Sequence, residues 1–285
     1  MIVESGDVRL WTERIGDSAD PPVLLIMGAE AQGVAWPDEL VSRLVAGGRQ
    51  VIRYDHRDTG ESSTVDFDAS PYSLADLVAD AVAVLDGHGL ASAHVVGASM
   101  GGLIAQWLAA AHPARVRTLT LMSTTPLNGA ADLPPPAESF LKAITEAGEL
   151  PRTTAAERVE ADVVVYRLLN GNAPFDEAAA RSLAERHFAR AVDWTKSANH
   201  HRIASVPSTP PPTSAIEAPT MVLVAVDDPI FAPPHAEAVA EAIPNARLRQ
   251  MPAMGHVLLS PGLPSRIADA MLAHTASGAV PPQEW

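Results

Sequence analysis

Val23-Leu-Leu-Ile-Met27 is apolar without a break and stops at Gly28. A run this short and this uniformly apolar suits a strand buried on both faces, and such strands occur in parallel sheets covered by helices. The segments around it keep the same rhythm. Val8–Arg14, Gln50–Asp55, His94–Gly97 and Val116–Met122 read as strands. Pro37–Ala46, Leu74–Gly87 and Gly101–Ala111 read as helices, with Leu74, Leu77, Val78, Ala81, Val82 and Leu85 at helical spacing and Gly47-Gly48 closing the first. Alternation of this kind predicts βαβ units, a mainly parallel sheet with helices on both faces, and a site at the carboxyl ends of the strands.

The rhythm fails from Ser123 to Ala218. Helices are expected there at Ala137–Ala147, Ala155–Leu169, Glu177–Ala189 and Asp193–His201, between the proline-rich stretches Leu133–Pro136 and Pro207–Pro212. Proline fixes φ, so these stretches make stiff connectors. After Pro219 the rhythm returns: strand Thr220–Val226, helix His235–Ile243, strand Ala246–Met251 and helix Pro264–Ala276, then a frayed tail at Gly278–Trp285. The expected organisation is one α/β core, residues 1–123 and 219–285, with a helical lid inserted at 124–218.

Composition narrows the function. The 285 residues carry 34 acids against 20 bases, a net charge of −14, which argues against a broad nucleic-acid or anionic-lipid surface. There is no cysteine, hence no disulfide, thiolate metal site or cysteine nucleophile. No apolar run approaches a membrane span. Met1–Val8 has no basic segment ahead of an apolar one, so no signal peptide is expected and a cytoplasmic location is the default. Asn199-His200-His201 lacks the i, i+4 spacing of a helical metal pair, and no glycine-rich phosphate loop is present. No metal, nucleotide or other cofactor is expected.

Gly97-Ala98-Ser99-Met100-Gly101 is a G-x-S-x-G pattern between an apolar strand and a helix, the setting of a nucleophile elbow. A plain turn with a solvated serine is the bland alternative. A serine hydroxyl needs a base, and the base needs an orienting acid. Of ten histidines, His256 sits in a loop after a predicted strand, where it can reach Ser99. His94 lies inside the strand before the elbow. His88, His112 and His274 fall at helix ends, with 88 and 274 expected in solvent, and His187, His200 and His201 fall in the insertion, as substrate contacts or exposed residues. In the chain order Ser…Asp…His, Asp228 is the preferred acid and Asp227 the alternate, both following the strand 220–226. The backbone N–H groups of Ala29 and Met100 are the expected oxyanion donors, and Gly28 permits the sharp bend of the loop that carries Ala29. Gly28, Glu30, Gln32, Phe140, Tyr166 and Trp194 are the candidate substrate contacts, drawn from the oxyanion loop and from the insertion's aromatics, which also include Phe175 and Phe188. Packing within the insertion is the competing use of those aromatics; Trp36 and Trp107 are assigned to the core.

Together these residues resemble the α/β-hydrolase superfamily over nearly the whole chain outside the insertion. Tyr54-Asp-His-Arg-Asp-Thr-Gly-Glu-Ser62 is similar to its Asp-x-Arg-Gly-x-Gly-x-Ser segment, with Asp58 where glycine is usual. That variant, with Ser5-Gly-Asp-Val-x-Leu-Trp11 and Trp36-Pro-Asp-Glu39, resembles the anthracycline methylesterases of the aclacinomycin methylesterase type, from aromatic polyketide pathways. So do Asp80–Gly87, His94–Gly97, Asp228-Pro-Ile230 and Gly255-His256. The resemblance implies a triad of Ser99, Asp228 and His256, donors at Ala29 and Met100, and an apolar or aromatic small-molecule ester as substrate, in its sharper form a methyl ester of a polycyclic aromatic polyketide from secondary metabolism. Where those enzymes tend to have Met-Gly-Gly, this chain has Met27-Gly28-Ala29. The expected function is a serine esterase. The alternatives are a lactonase, thioesterase, perhydrolase or non-hydrolytic cyclase on the same fold, or a non-catalytic ligand-binding protein. Oligomeric state is open.

Overall fold

The computed structural model describes residues 1–130 and 132–277. Among the described residues eight strands form one sheet: β1 (Ile2–Ser5), β2 (Val8–Ile15), β3 (Pro22–Ile26), β4 (Gln50–Tyr54), β5 (Ala93–Ala98), β6 (Val116–Met122), β7 (Thr220–Ala225) and β8 (Ala246–Met251). Their spatial order is β1-β2-β4-β3-β5-β6-β7-β8. β1 and β2 are antiparallel, as are β2 and β4; every later pairing is parallel. Strands β3, β4, β5 and β7 are buried at every residue, although β4 carries Gln50 and Arg53, β5 carries His94 and β7 carries Thr220. β2, near the edge, alternates buried and open positions.

Helices α1 (Asp38–Ala46) and α8 (Leu263–Ser277) cover one face, sharing a core of Leu40, Leu44, Ile267 and Met271 with alternate residues of the strands. Helices α2 (Leu74–Gly87), α3 (Met100–Ala111) and α7 (Pro233–Ala242) cover the other. Trp36 and Trp107 are buried as expected. α2 starts where Ser73 N–H donates to Asp76 Oδ2 (2.8 Å), a cap that fixes its first turn.

Between β6 and β7 the chain leaves the sheet. α4 (Glu138–Gly148), α5 (Ala155–Leu169) and α6 (Glu177–Arg190) form there, and Val163–Val165 lies in α5. Thr154 and Glu157 cap α5 reciprocally, by bonds of 2.9 and 3.2 Å. The expected helix at Asp193–His201 is instead a 3-10 turn over Lys196–His201. Within it Ser197, Asn199 and His200 are buried, while Ala198 and His201 are exposed.

Other expectations are corrected. β1 was not foreseen: it is short and reaches β2 through Gly6-Asp7, with Gly6 at φ +58°. His88 is not solvated; it is buried, with Nε2 2.9 Å from Thr12 Oγ1, and Arg14 Nε donates to its Nδ1. His274 is likewise fully buried, its Nε2 3.3 Å from Leu119 O. Position at a helix end does not set exposure when the end packs under a sheet. The tail 278–285 lies outside the described residues. Among the described residues no helix is long and apolar enough to cross a membrane.

Candidate active site

β5 ends at Ala98 and α3 begins at Met100, so Ser99 alone makes the turn, at φ +55° and ψ −122°. That conformation is strained for a non-glycine residue. Neighbouring backbone leaves no alternative. A Cβ at position 97 would stand 2.3 Å from Gly101 O, and one at 101 would stand 2.2 Å from Ile26 O. The two glycines thus let strand, turn and helix close on β3. Ser99 N–H donates to Met122 O (3.1 Å), and Thr124 Oγ1 donates to Ser99 O (2.9 Å).

The hydroxyl of Ser99 lies 3.0 Å from His256 Nε2. His256 Nδ1 lies 2.9 and 3.1 Å from the two oxygens of Asp228. Asp228 also accepts the N–H groups of Ile230 (2.8 Å) and Phe231 (3.0 Å) through Oδ1. Burial alone would raise this carboxyl, but the His256 ring and the hydrogen bonds outweigh it and hold Asp228 below the ordinary aspartate value. Asp227 engages through its backbone instead, N–H to Met254 O (2.9 Å). The His256 loop is tied to the inserted region: His256 N–H donates to Leu169 O (2.8 Å), and a Cβ at Gly255 would strike Asn170 O at 2.3 Å.

The loop after β3 runs beside the elbow. Gly28 is so close that a Cβ there would sit 2.9 Å from Ser99 Cβ. Ala29 follows, then Glu30 at φ +62°. Met100 N–H is the first of the α3 N–H groups, which a helix leaves without intrahelical acceptors. Both Ala29 and Ser99 face a cavity of about 530 Å³.

The cavity's floor includes Gly28, Glu30, Gln32 and His256; its roof includes Phe140, Tyr166, Phe188 and Trp194. Phe175 is elsewhere, packed on the small cluster of Val159, Val163 and Ala184 with Arg167 above its ring (4.6 Å). The roof carries polar groups too. Arg158 lies over Trp194 (4.5 Å) and pairs with Asp162 (3.0 Å), while Tyr166 Oη is 3.2 Å from His187 Nδ1. Burial depresses His187 to about 3, so its imidazole is neutral.

Asp58 sits at φ +68°, which explains why glycine is usual there. The carboxylate offsets the strain by accepting from Val65 N–H (2.6 Å), Tyr72 Oη (2.7 Å) and Asn199 Nδ2 (3.0 Å). Next to it, Arg57 and Asp80 form a buried two-pronged pair, both bonds 2.7 Å.

Sequence reasoning missed two supports. Arg190, on α6, donates to Asp55 Oδ2 (2.7 Å) and Gln32 Oε1 (3.1 Å), and lies over Trp11 (4.2 Å). His200 is buried rather than exposed or in the cavity, and it accepts Glu30 N–H at Nδ1 (2.9 Å). No spacing marks either residue, because their partners are scattered along the chain. Among the described residues no group of three His, Asp or Glu side chains is placed to hold a metal ion.

The sequence profile of the α/β-hydrolase fold matches residues 21–262. The chain is 40% identical to rhodomycin D methylesterase DnrP of Streptomyces peucetius, over 98% of this chain and 99% of that protein. It is 39% identical to rhodomycin D methylesterase DauP of Streptomyces sp. strain C5, with the same coverage. Among solved structures, a hydrolase from Pseudomonas aeruginosa superposes with a TM-score of 0.70 at 24% identity, covering 98% of this chain and 97% of that one. By profile, by full-length relatives and by fold, the chain belongs to the α/β-hydrolase fold family.

Proposed function

We propose that the protein is a carboxylic ester hydrolase working through an acyl-serine intermediate, and that its substrate is a methyl ester on a polycyclic aromatic polyketide. One observation carries the chemistry: Ser99, His256 and Asp228 stand in a continuous hydrogen-bonded line, opening on an aromatic-walled cavity. Ser99 Oγ attacks the ester carbonyl and His256 Nε2 takes its proton. Asp228 keeps the proton on Nδ1 and steadies the imidazolium. The N–H groups of Ala29 and Met100 hold the oxyanion, each worth about 10²–10³ in rate by analogy with other such donors. Collapse expels methanol, which takes the proton from His256. Water then enters on the same base and releases the acid.

The substrate class rests on the relatives, which are named as rhodomycin D methylesterases, and on the cavity, which has room and flat apolar walls for fused rings. The insertion carrying α4–α6 acts in this reading as the lid that supplies the roof. The test is methanol release from a polycyclic aromatic methyl ester, run beside p-nitrophenyl butyrate. A kcat/KM at least ten times higher for the polycyclic ester is expected. Hydrolysis of the small ester alone would keep the esterase and remove the polyketide assignment.

A further inference from the structure

Met27, Gly28, Ala29 and Glu30 are joined by three peptide units, and the outer two are each held by a buried imidazole. His56 comes from the loop after β4; its Nε2 lies 2.9 Å from Met27 O, the carbonyl of the first unit. A carbonyl only accepts, so Nε2 bears the proton and Nδ1 is bare; Nδ1 is buried without a partner among the described residues. His200 comes from the 3-10 turn of the insertion. Its Nδ1 accepts Glu30 N–H, the amide of the third unit, at 2.9 Å, so its Nε2–H donates to Arg57 O, also at 2.9 Å. The two rings meet edge to face, 5.7 Å between centroids and 90° apart. His56 is fully buried and His200 only 3% exposed, and burial depresses both, so each is a neutral ring with a fixed tautomer.

The middle unit, between Gly28 and Ala29, carries the Ala29 N–H. With its neighbours pinned from opposite ends, its plane has little freedom, although Gly28 is the residue whose backbone would otherwise swing most easily. The turn at 196–201 adds further ties to the same place. Ser197 Oγ donates to Glu30 Oε2 (3.2 Å), His201 Nε2 bonds Glu30 Oε1, and Asn199 Nδ2 reaches Asp58 (3.0 Å). Glu30 itself is left-handed at φ +62°, a conformation the His200 bond helps to hold.

We infer that His200 is a positioning residue for ester hydrolysis: paired with His56, it clamps the oxyanion loop from the inserted region and so aims the Ala29 N–H at the developing oxyanion. The inference rests on the esterase reading and on Ala29 as a donor. It makes the inserted region a structural part of the catalytic floor as well as a roof. Misplacing a catalytic group by about 1 Å can cost about 10²-fold in rate.

The experiment uses His200→Phe, His200→Asn and His200→Gln in the full chain. Asparagine can present its oxygen where Nδ1 stood, and glutamine can present its amide where Nε2 stood. Phenylboronic acid, which forms a tetrahedral adduct on an active serine, is the probe of the oxyanion site. In His200→Phe we expect kcat to fall about 10- to 100-fold with KM changed less than about threefold, and the inhibition constant of phenylboronic acid to rise with the fall in kcat. His200→Asn is expected to recover most of the lost kcat and His200→Gln little of it. If the Phe variant does not fold, the Asn and Gln pair carries the same contrast at matched melting temperatures. Equal kcat in Asn and Gln variants, or a Phe variant within threefold of wild type, overturns the clamp and leaves the esterase standing. A wild type that neither hydrolyses esters nor responds to phenylboronic acid overturns the esterase reading and the clamp with it.

Discussion

The floor and the roof of the cavity are built by different means. The floor is shaped by backbone: a serine at φ +55°, glycines at 28, 97 and 101 where a Cβ would collide, and loops leaving β3, β5, β7 and β8 at one end of the sheet. The roof is made of side chains on three helices and on the turn after α6 that carries Trp194, and among the described residues the helices' own buried cluster is Val159, Val163 and Ala184, with Tyr166 and Phe175 against it. Its ion pairs Arg181–Glu160 and Arg167–Glu177 are largely exposed and contribute little to stability. A floor of this kind tolerates almost no substitution, because steric conflict with backbone has no cheap relief. A roof of this kind can change its residues while keeping its shape. In the proposed reading, reaction chemistry belongs to the first and substrate choice to the second.

Substitutions that separate the two should differ in size and in kind. Asp228→Asn is expected to lower kcat about 10⁴-fold by leaving His256 in the wrong tautomer, whereas Asp227→Asn should stay within about threefold. Steady-state kinetics of the pair decides between the two acids. Gly28→Ala places a methyl group 2.9 Å from Ser99 Cβ and should cost about 10² in kcat, with little change in substrate KM. At the roof the pattern should reverse. Trp194→Ala removes a cavity wall and frees Arg158, and KM is expected to rise about tenfold with kcat within twofold. If the Trp194 substitution lowers kcat as strongly as Gly28→Ala, the division between floor and roof fails.

Acid acts on the core and the insertion together. His88 and His94 in the core are depressed to about 4, and His187 and His200 in the insertion to about 3, chiefly by burial. The unfolded chain takes up these protons near pH 6.5 while the folded chain does not. Stability from the four neutral rings is therefore present above about pH 6.5 and is lost as pH falls towards 4 and 3. The free energy of unfolding should fall from pH 7 to pH 5, by at most about 1.4 kcal/mol per pH unit for each ring, and the melting temperature should fall with it. A flat profile over that range would contradict four buried neutral imidazoles.

Much of this was legible in the sequence, for a physical reason. Strands buried on both faces are mostly apolar, so β3, β5 and β7 are readable despite His94 and Thr220, and α2 and β6 fall at their expected bounds. The elbow was legible because its strain demands glycine on both sides of Ser99. The three side chains singled out at 99, 228 and 256 meet within hydrogen-bonding distance. β1 was not legible, since four residues before a tight turn give too little pattern. His200 was not legible because its partners are Glu30 N–H and Arg57 O, and a backbone group leaves no trace in residue identity. Buried His88 and His274 were misread because exposure depends on what a helix end packs against.

The central claim is that Ser99 becomes acylated, and covalent labelling tests it most directly. Wild type and Ser99→Ala are treated with a fluorophosphonate and measured by intact mass, then by peptide mapping. One phosphonyl adduct per chain on the Ser99 peptide of the wild type, with none in the variant, is the predicted result. A wild type that hydrolyses esters yet remains unlabelled, or a Ser99→Ala variant that labels and turns over equally well, would contradict it.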